Sequence, residues 1–195
     1  MVSRSTSGLS EHSSLLNASG NIGTTNAYRV LGARAGTVVL VCDITKGAVP
    51  AVLAGQLFAP WLAVILAALP VIGHLRSIFL GGGGGKGVAT GAGVVLGLMW
   101  PVFLFVLAAF LFVLFSARMV SAASLTAAVV FPIVVWLTGQ PLPYLIVSLV
   151  LSPLVILAHH ANIRRILRGK EHRFSFSRHR RGDAASHGNA GASRS

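Results

Sequence analysis

Between Gly87 and Ile163 the chain carries a single formal charge, Arg118. A soluble domain has about 25% charged residues, whereas this chain has 10%, with 54% hydrophobic residues and a mean hydropathy of +0.77. So long a stretch with one charge cannot all be the interior of one small soluble domain. It predicts an all-α, polytopic integral membrane helical bundle, one compact unit rather than two domains.

The breakers divide the apolar sequence into six runs: Gly36 to Phe58, Trp61 to Leu80, Val88 to Met99, Val102 to Phe115, Met119 to Leu137 and Leu142 to Ala158. A spanning helix needs about 20 residues, so the third and fourth runs are short. They either join into one kinked span or form two short helices meeting at Trp100-Pro101. Charge decides for two. With six crossings, Arg29, Arg34, Lys86, Arg118 and the Arg-rich tail share one side. The opposite loops, near Ala59-Pro60, Trp100-Pro101 and Thr138 to Pro143, hold no Lys or Arg. That asymmetry marks the cation-bearing side as cytoplasmic. Trp61, Trp100, Trp136 and Tyr144 fall at the cation-free ends, where interfacial aromatics belong.

The net charge of +12 sits in loops and in the tail, beside apolar spans. It suits anionic lipids or phosphorylated substrates better than nucleic acid, and no nucleic-acid partner is expected. Cys42 is the only cysteine, so no intrachain disulfide and no cysteine metal site is expected. Residues 1–17 form a polar, Ser-rich segment, 18–171 the membrane domain, and 172–195 a basic tail read as disordered after its first residues.

Four polar clusters fall on the cation-bearing side. The first, Ala18 to Gly32, holds Ser19, Asn21, Thr24, Thr25, Asn26 and Arg29. The second is Asp43 to Gly47, where Asp43 and Lys46 are spaced to pair on one helix face, a structural ion pair before a catalytic one. The third is GGGGGKG, Gly81 to Gly87. Without Cβ atoms its N–H groups can converge on phosphate oxygens, and Lys86 adds a point charge; a flexible linker is the plainer reading. The fourth joins Arg118, Ser121 and Ser124 to the segment His159 to Glu171, in which His159 and Asn162 share a helix face. Arg164, Arg165 and Arg168 read as lipid-facing or side-marking cations. Familiar phosphate motifs fail: Leu80 stands where a P-loop needs its first glycine, and Gly87 replaces Ser or Thr after the lysine. The acids are only Glu11, Asp43, Glu171 and Asp183. A site of cations and hydroxyls with few carboxylates suits a phosphate ligand.

Taken in order, these segments resemble the bacterial acyl-phosphate:glycerol-3-phosphate acyltransferase family, the PlsY type. ASGNIGTTNAYR (Ala18 to Arg29) is similar to the family's first motif. Asp43, Lys46 and Gly47 match its DxxKG element. Gly73-His74 and Gly84 to Thr90 match its GH and GGKGVAT. Arg118, Ser121 and Ser124 match R-x-x-S-x-x-S. His159, Asn162, Ile163, Arg165, Gly169 and Glu171 match the closing motif, with Ile166 at a Leu position. The departures are Ala18 for Gly, Arg76-Ser77 for Phe-Pro, Ala161 for Glu, and a polar 1–17 where the family has a first hydrophobic helix.

The resemblance implies a membrane acyltransferase that moves a fatty acyl group from acyl phosphate to the sn-1 hydroxyl of glycerol 3-phosphate. The products would be lysophosphatidic acid and phosphate, in phospholipid biosynthesis at the bacterial cytoplasmic (inner) membrane, with the active face and tail cytoplasmic. No cofactor or metal is implied, because the mixed anhydride is already activated. Ser19, Arg29, Lys86, His159 and Asn162 would carry catalysis. Asn21, Thr25, Gly84, Gly85, Gly87, Arg118 and Ser121 would bind substrate, and Asp43, Lys46 and Glu171 would be structural. His159 and an oxygen of the donor phosphate are the two candidate bases. A small membrane transporter, a phosphate- or lipid-binding protein, and a catalytically impaired family member are the competing readings.

Overall fold

The structure, a computed structural model, describes residues 23–75 and 85–173. The expectations for Ser19, Asn21, Gly84, residues 1–17 and most of the tail lie outside the described residues. Among those described there are eight helices and no strand: α1 (Thr24–Val30), α2 (Gly32–Leu57), α3 (Pro60–Leu75), α4 (Val88–Leu98), α5 (Trp100–Ala117), α6 (Val120–Leu137), α7 (Leu142–Ala158) and α8 (His160–Leu167).

Each of the six apolar runs forms its own helix. α2, α5 and α6 are long and apolar enough to cross a membrane, with 26, 18 and 18 residues, and α7 and α8 make a pair bent by 60°. The expected short pair is half right. α4 has 11 residues, but α5 reaches 18 because it starts at Trp100 and takes Pro101 into its first turn. There a helix needs no N–H from proline. The second short apolar helix is α3, 16 residues within the described chain. Pro50, Pro70, Pro132 and Pro153 all lie inside helices, as neighbouring helices in a membrane bundle permit. Trp61, Trp100 and Trp136 are all more than half exposed on the bundle's outside, as interfacial anchors should be.

α1 folds back on α2 through Leu31 and Gly32, whose φ of +84° favours glycine. The Tyr28 ring lies over Gly36, where any side chain would overlap it. Its hydroxyl donates to Thr37 Oγ1 at 2.7 Å, and Thr37 donates to the Ala33 carbonyl at 2.9 Å.

α4, the shortest apolar helix, is the centre of the bundle. Val94 joins Ala51, Ala67, Val71 and Leu151 in one buried cluster, and Val95 joins Met99, Val102, Phe131 and Val135 in another. α4 packs most closely on α2 because glycines line the seam. A Cβ at Gly47 would run into the Thr90 carbonyl, and one at Gly93 into the Ile44 carbonyl. In lipid no hydrophobic force draws helices together, so such small-residue seams supply the association through close packing. Gly47→Val is therefore expected to cost more than the about 1–3 kcal/mol of ordinary overpacking, because the obstacle is backbone. Thermal unfolding in detergent checks this against Gly91→Ala, whose Cβ meets nothing within 4 Å and should leave the midpoint unchanged.

Candidate active site

The charged and polar residues gather where α4 begins, α6 begins and α7 gives way to α8. Gly87 caps α4 with φ +73°, a left-handed turn that turns the chain from the glycine loop into the helix. This sets Lys86 against α8. Its Nζ donates to Asn162 Oδ1 at 2.6 Å.

Asn162 is 5% exposed and passes the link on: its Nδ2 donates to Glu171 Oε1 at 2.7 Å. The same oxygen accepts from Ser121 Oγ at 2.8 Å. Glu171 Oε2 accepts from Arg165 Nε at 2.7 Å. Glu171 reaches this position through a Schellman turn. Gly169, at φ +65°, reverses the chain after α8, with its N–H on the Ile166 carbonyl at 2.9 Å and that of Lys170 on the Arg165 carbonyl at 2.8 Å. Burial alone would raise the Glu171 carboxyl, but the bonds from Arg165, Asn162 and Ser121 hold it below its ordinary value.

Lys86 is held down to about 8, first by burial and then by the Arg165 guanidinium; Glu171 opposes this and Arg29 adds to it. His159, at the bend between α7 and α8, is 2% exposed. Its Nδ1 lies 2.8 Å from the Val155 carbonyl, so Nδ1 carries the proton and Nε2 the lone pair. Burial pushes this imidazole down to about 4. The Val155 bond and Glu171 pull it up, and Lys86 pushes it down. It is therefore a neutral base at neutral pH.

Of the expected site residues, Lys86, Asn162, Ser121 and Glu171 join one hydrogen-bonded chain with Arg165. His159 lies close enough to feel the charges of Lys86 and Glu171. Arg29 is exposed on α1 but contributes to the potential at Lys86. Arg118 is exposed and ends α5 in the left-handed conformation, φ 56°. Asp43 and Lys46 do pair, at 2.6 Å. For two motif residues the sequence does not show the partner. Arg165, read as a membrane-surface cation, turns inward to Glu171; its i, i+6 spacing to that acid, across a glycine, is the signal that could have shown it. His74 completes the Asp43–Lys46 pair, with Lys46 Nζ at 2.7 Å from its Nδ1; its Gly-His motif marks the residue, but across 28 residues nothing in the sequence marks the pairing.

The arrangement can hold an anion. Both acids among the described residues are already engaged, Glu171 by three donors and Asp43 by Lys46. No free carboxylate there opposes a phosphate beside Lys86.

A family model described as glycerol-3-phosphate acyltransferase matches residues 13–169. The chain is 46% identical over 155 residues to the glycerol-3-phosphate acyltransferase of Synechococcus sp. (strain JA-2-3B'a(2-13)), covering 80% of this chain and 78% of the relative. It is 39% identical over 158 residues to that of Aquifex aeolicus (strain VF5), covering 80% and 82%. In fold it is similar to the crystal structure of PlsY (YgiH), an integral membrane glycerol 3-phosphate acyltransferase, in its glycerol 3-phosphate form. The TM-score is 0.80 at 38% identity, over 83% of this chain and 82% of that one. The lysophosphatidic acid form of PlsY gives 0.78 at 38% identity, over 82% of each chain.

Proposed function

The chain belongs to the glycerol-3-phosphate acyltransferase family, and from that premise we propose that it acylates the sn-1 hydroxyl of glycerol 3-phosphate with acyl phosphate as donor. The observation that carries this reading is the chain Lys86–Asn162–Glu171, braced by Ser121 and Arg165. It aims one ammonium at a site whose neighbouring carboxylate is already neutralised.

In this reading Lys86, Gly85 and Gly87, with Gly84, hold the phosphoryl group of the donor. Thr25 and Arg29, with Ser19 and Asn21, contact substrate phosphates, Ser121 acts through Glu171, to which its one hydroxyl proton is donated, and Arg118 adds positive potential at the rim. Asn162 and His159 orient the acceptor glycerol. The sn-1 oxygen attacks the acyl carbonyl carbon. A C–O ester bond forms, the bond from that carbon to the phosphate oxygen breaks, and inorganic phosphate leaves. The hydroxyl proton passes either to His159 Nε2, the ring nitrogen left with its lone pair, or to an oxygen of the donor phosphate, which departs with it; the pKa of His159, lowered by burial to about 4, favours the phosphate oxygen. Lys86 offsets the charge gathering on the departing phosphate, a stabilisation greatest in the transition state. The membrane is the bacterial inner membrane, and the site opens to the cytoplasm, where the positive-inside bias puts Arg29, Lys86 and Arg118.

Purified protein supplied with palmitoyl phosphate and glycerol 3-phosphate should release phosphate and lysophosphatidate in equal amounts. Turnover with an acyl thioester instead, and none with palmitoyl phosphate, would overturn the donor assignment. Absence of turnover by folded protein with either donor would favour the impaired-member reading.

The pH profile tests Lys86 separately. The ammonium form binds phosphate, so function is present below the pKa and lost above it. kcat/KM for palmitoyl phosphate should fall with an alkaline limb near pH 8, the free-enzyme value of Lys86. The limb of kcat should lie higher, because a bound phosphate stabilises the charge. Lys86→Arg, with a side chain that does not deprotonate, should remove the limb from kcat/KM whatever its effect on rate.

A further inference from the structure

Asp43, Lys46 and His74 stand apart from the Glu171 network, yet they meet the glycine loop. Lys46 Nζ donates to Asp43 Oδ1 at 2.6 Å and lies 2.7 Å from His74 Nδ1. An ammonium only donates, so Nδ1 accepts and the ring's proton sits on Nε2. That edge of the ring abuts Gly85. A Cβ there would overlap the ring, 2.6 Å from Cε1 and 2.8 Å from Cδ2. The Gly85 N–H also donates to the His74 carbonyl at 3.1 Å. The residue after Gly85 is Lys86. At the other end, Asp43 Oδ2 lies 3.5 Å from Thr24 Oγ1, the first residue of α1, which carries Thr25 and Arg29. The Asp43 and His74 side chains are each 10% exposed.

We propose that Asp43, Lys46 and His74 are positioning residues that form a strut from α1 and α2 to Gly85 and so aim the Lys86 ammonium. The proposal rests on the reading of Lys86 as a phosphate ligand. Its physical need is plain. A glycine run has more backbone freedom to lose than any other sequence, and Gly85 has no side chain with which to pack. The His74 ring supplies the missing surface, the carbonyl anchors the N–H, and the Lys46–Asp43 pair fixes the ring's tautomer and tilt. Lys86 is then held at two points, its backbone through His74 and its ammonium through Asn162. Through Thr24 the same strut sets the distance between Lys86 and the α1 donors.

The geometry defines a double-mutant cycle on the purified full chain with palmitoyl phosphate and glycerol 3-phosphate. Gly85→Ala collides with the ring in the wild type, but meets no ring in the His74→Ala background. Each single change should lower kcat/KM for the donor about 10- to 100-fold, the usual cost of a displacement near 1 Å. The double variant should be no worse than the worse single. The alkaline limb should also rise from about 8 toward the ordinary lysine value as Lys86 leaves its buried seat, a change that a general loss of packing would not produce. Where His74→Ala does not yield monodisperse protein, His74→Asn takes its place, because it keeps an acceptor for Lys46 while withdrawing the ring from Gly85. Losses that multiply, singles without effect, or an unmoved limb would each overturn the strut. Lys86→Met separates the two readings. If it leaves turnover intact, the phosphate role of Lys86 falls and the strut's purpose with it. If it abolishes turnover while the cycle multiplies, only the strut falls.

Discussion

Lys86→Met should lower kcat with palmitoyl phosphate about 10²- to 10³-fold, the cost typical of removing one preorganised donor from a developing oxyanion, while thermal stability stays level or rises. The two effects separate because Lys86 is costly to the fold. Burial and the neighbouring Arg165 and Arg29 hold its ammonium down to about 8; a folded state that depresses a lysine's pKa opposes its charge. Methionine keeps most of the volume and removes that cost. The loss is Asn162 Oδ1, which gives up its donor at 2.6 Å. Steady-state turnover and a melting curve on the same preparation decide the point. Unchanged turnover would remove Lys86 from the reaction.

Glu171→Ala should lose both activity and stability. Glu171 Oε1 accepts from Asn162 and Ser121, which are 5% and 7% exposed. Without it two buried donors are left unmatched, at about 1–3 kcal/mol each. The Arg165 pair adds less, since that side chain is 41% exposed and its charge is screened by solvent. With Asn162 free to turn its amide, the Lys86 ammonium loses its aim, and activity should fall about 10²-fold. Glu171→Gln should recover most of the stability through its remaining oxygen and little of the electrostatic balance. The wild-type pH dependence has a definite sign. The Glu171 carboxyl is lowered in the folded state, so its contribution to stability is present above the ordinary carboxylate value of about 4.3 and fades as pH falls through the lower folded one. Chemical or thermal unfolding at pH 7 and pH 3, wild type against Glu171→Gln, reads it directly.

The two variants show where sequence reading succeeds and stops. The bundle was legible because hydropathy and breakers are local: six apolar runs became six helices, and proline at Trp100-Pro101 began one of them. The length of α5 is not legible, because a proline marks a boundary and a first helical turn equally well. Lys86, Asn162 and His159 were legible as types in a pattern. Glu171 was legible only as a structural residue, because its three partners lie 6, 9 and 50 residues away. The partner of Arg165 is hidden for the same reason, since a cation near a membrane end looks alike whether it faces lipid or turns to a buried acid.

By itself, the sequence determined that this chain builds a helical membrane bundle, and that it has too few acids to repel a phosphate. Those properties follow from composition and order along the chain, and they hold for any packing of the helices. Only the tertiary structure decided which oxygen accepts from Lys86, that one carboxylate gathers Asn162, Ser121 and Arg165, and that His74 closes on Gly85. Hydrogen bonds act over about 3 Å, and contacts at that range between residues as far apart as Lys86 and Asn162, or Ser121 and Glu171, exist only once the helices that carry them have packed.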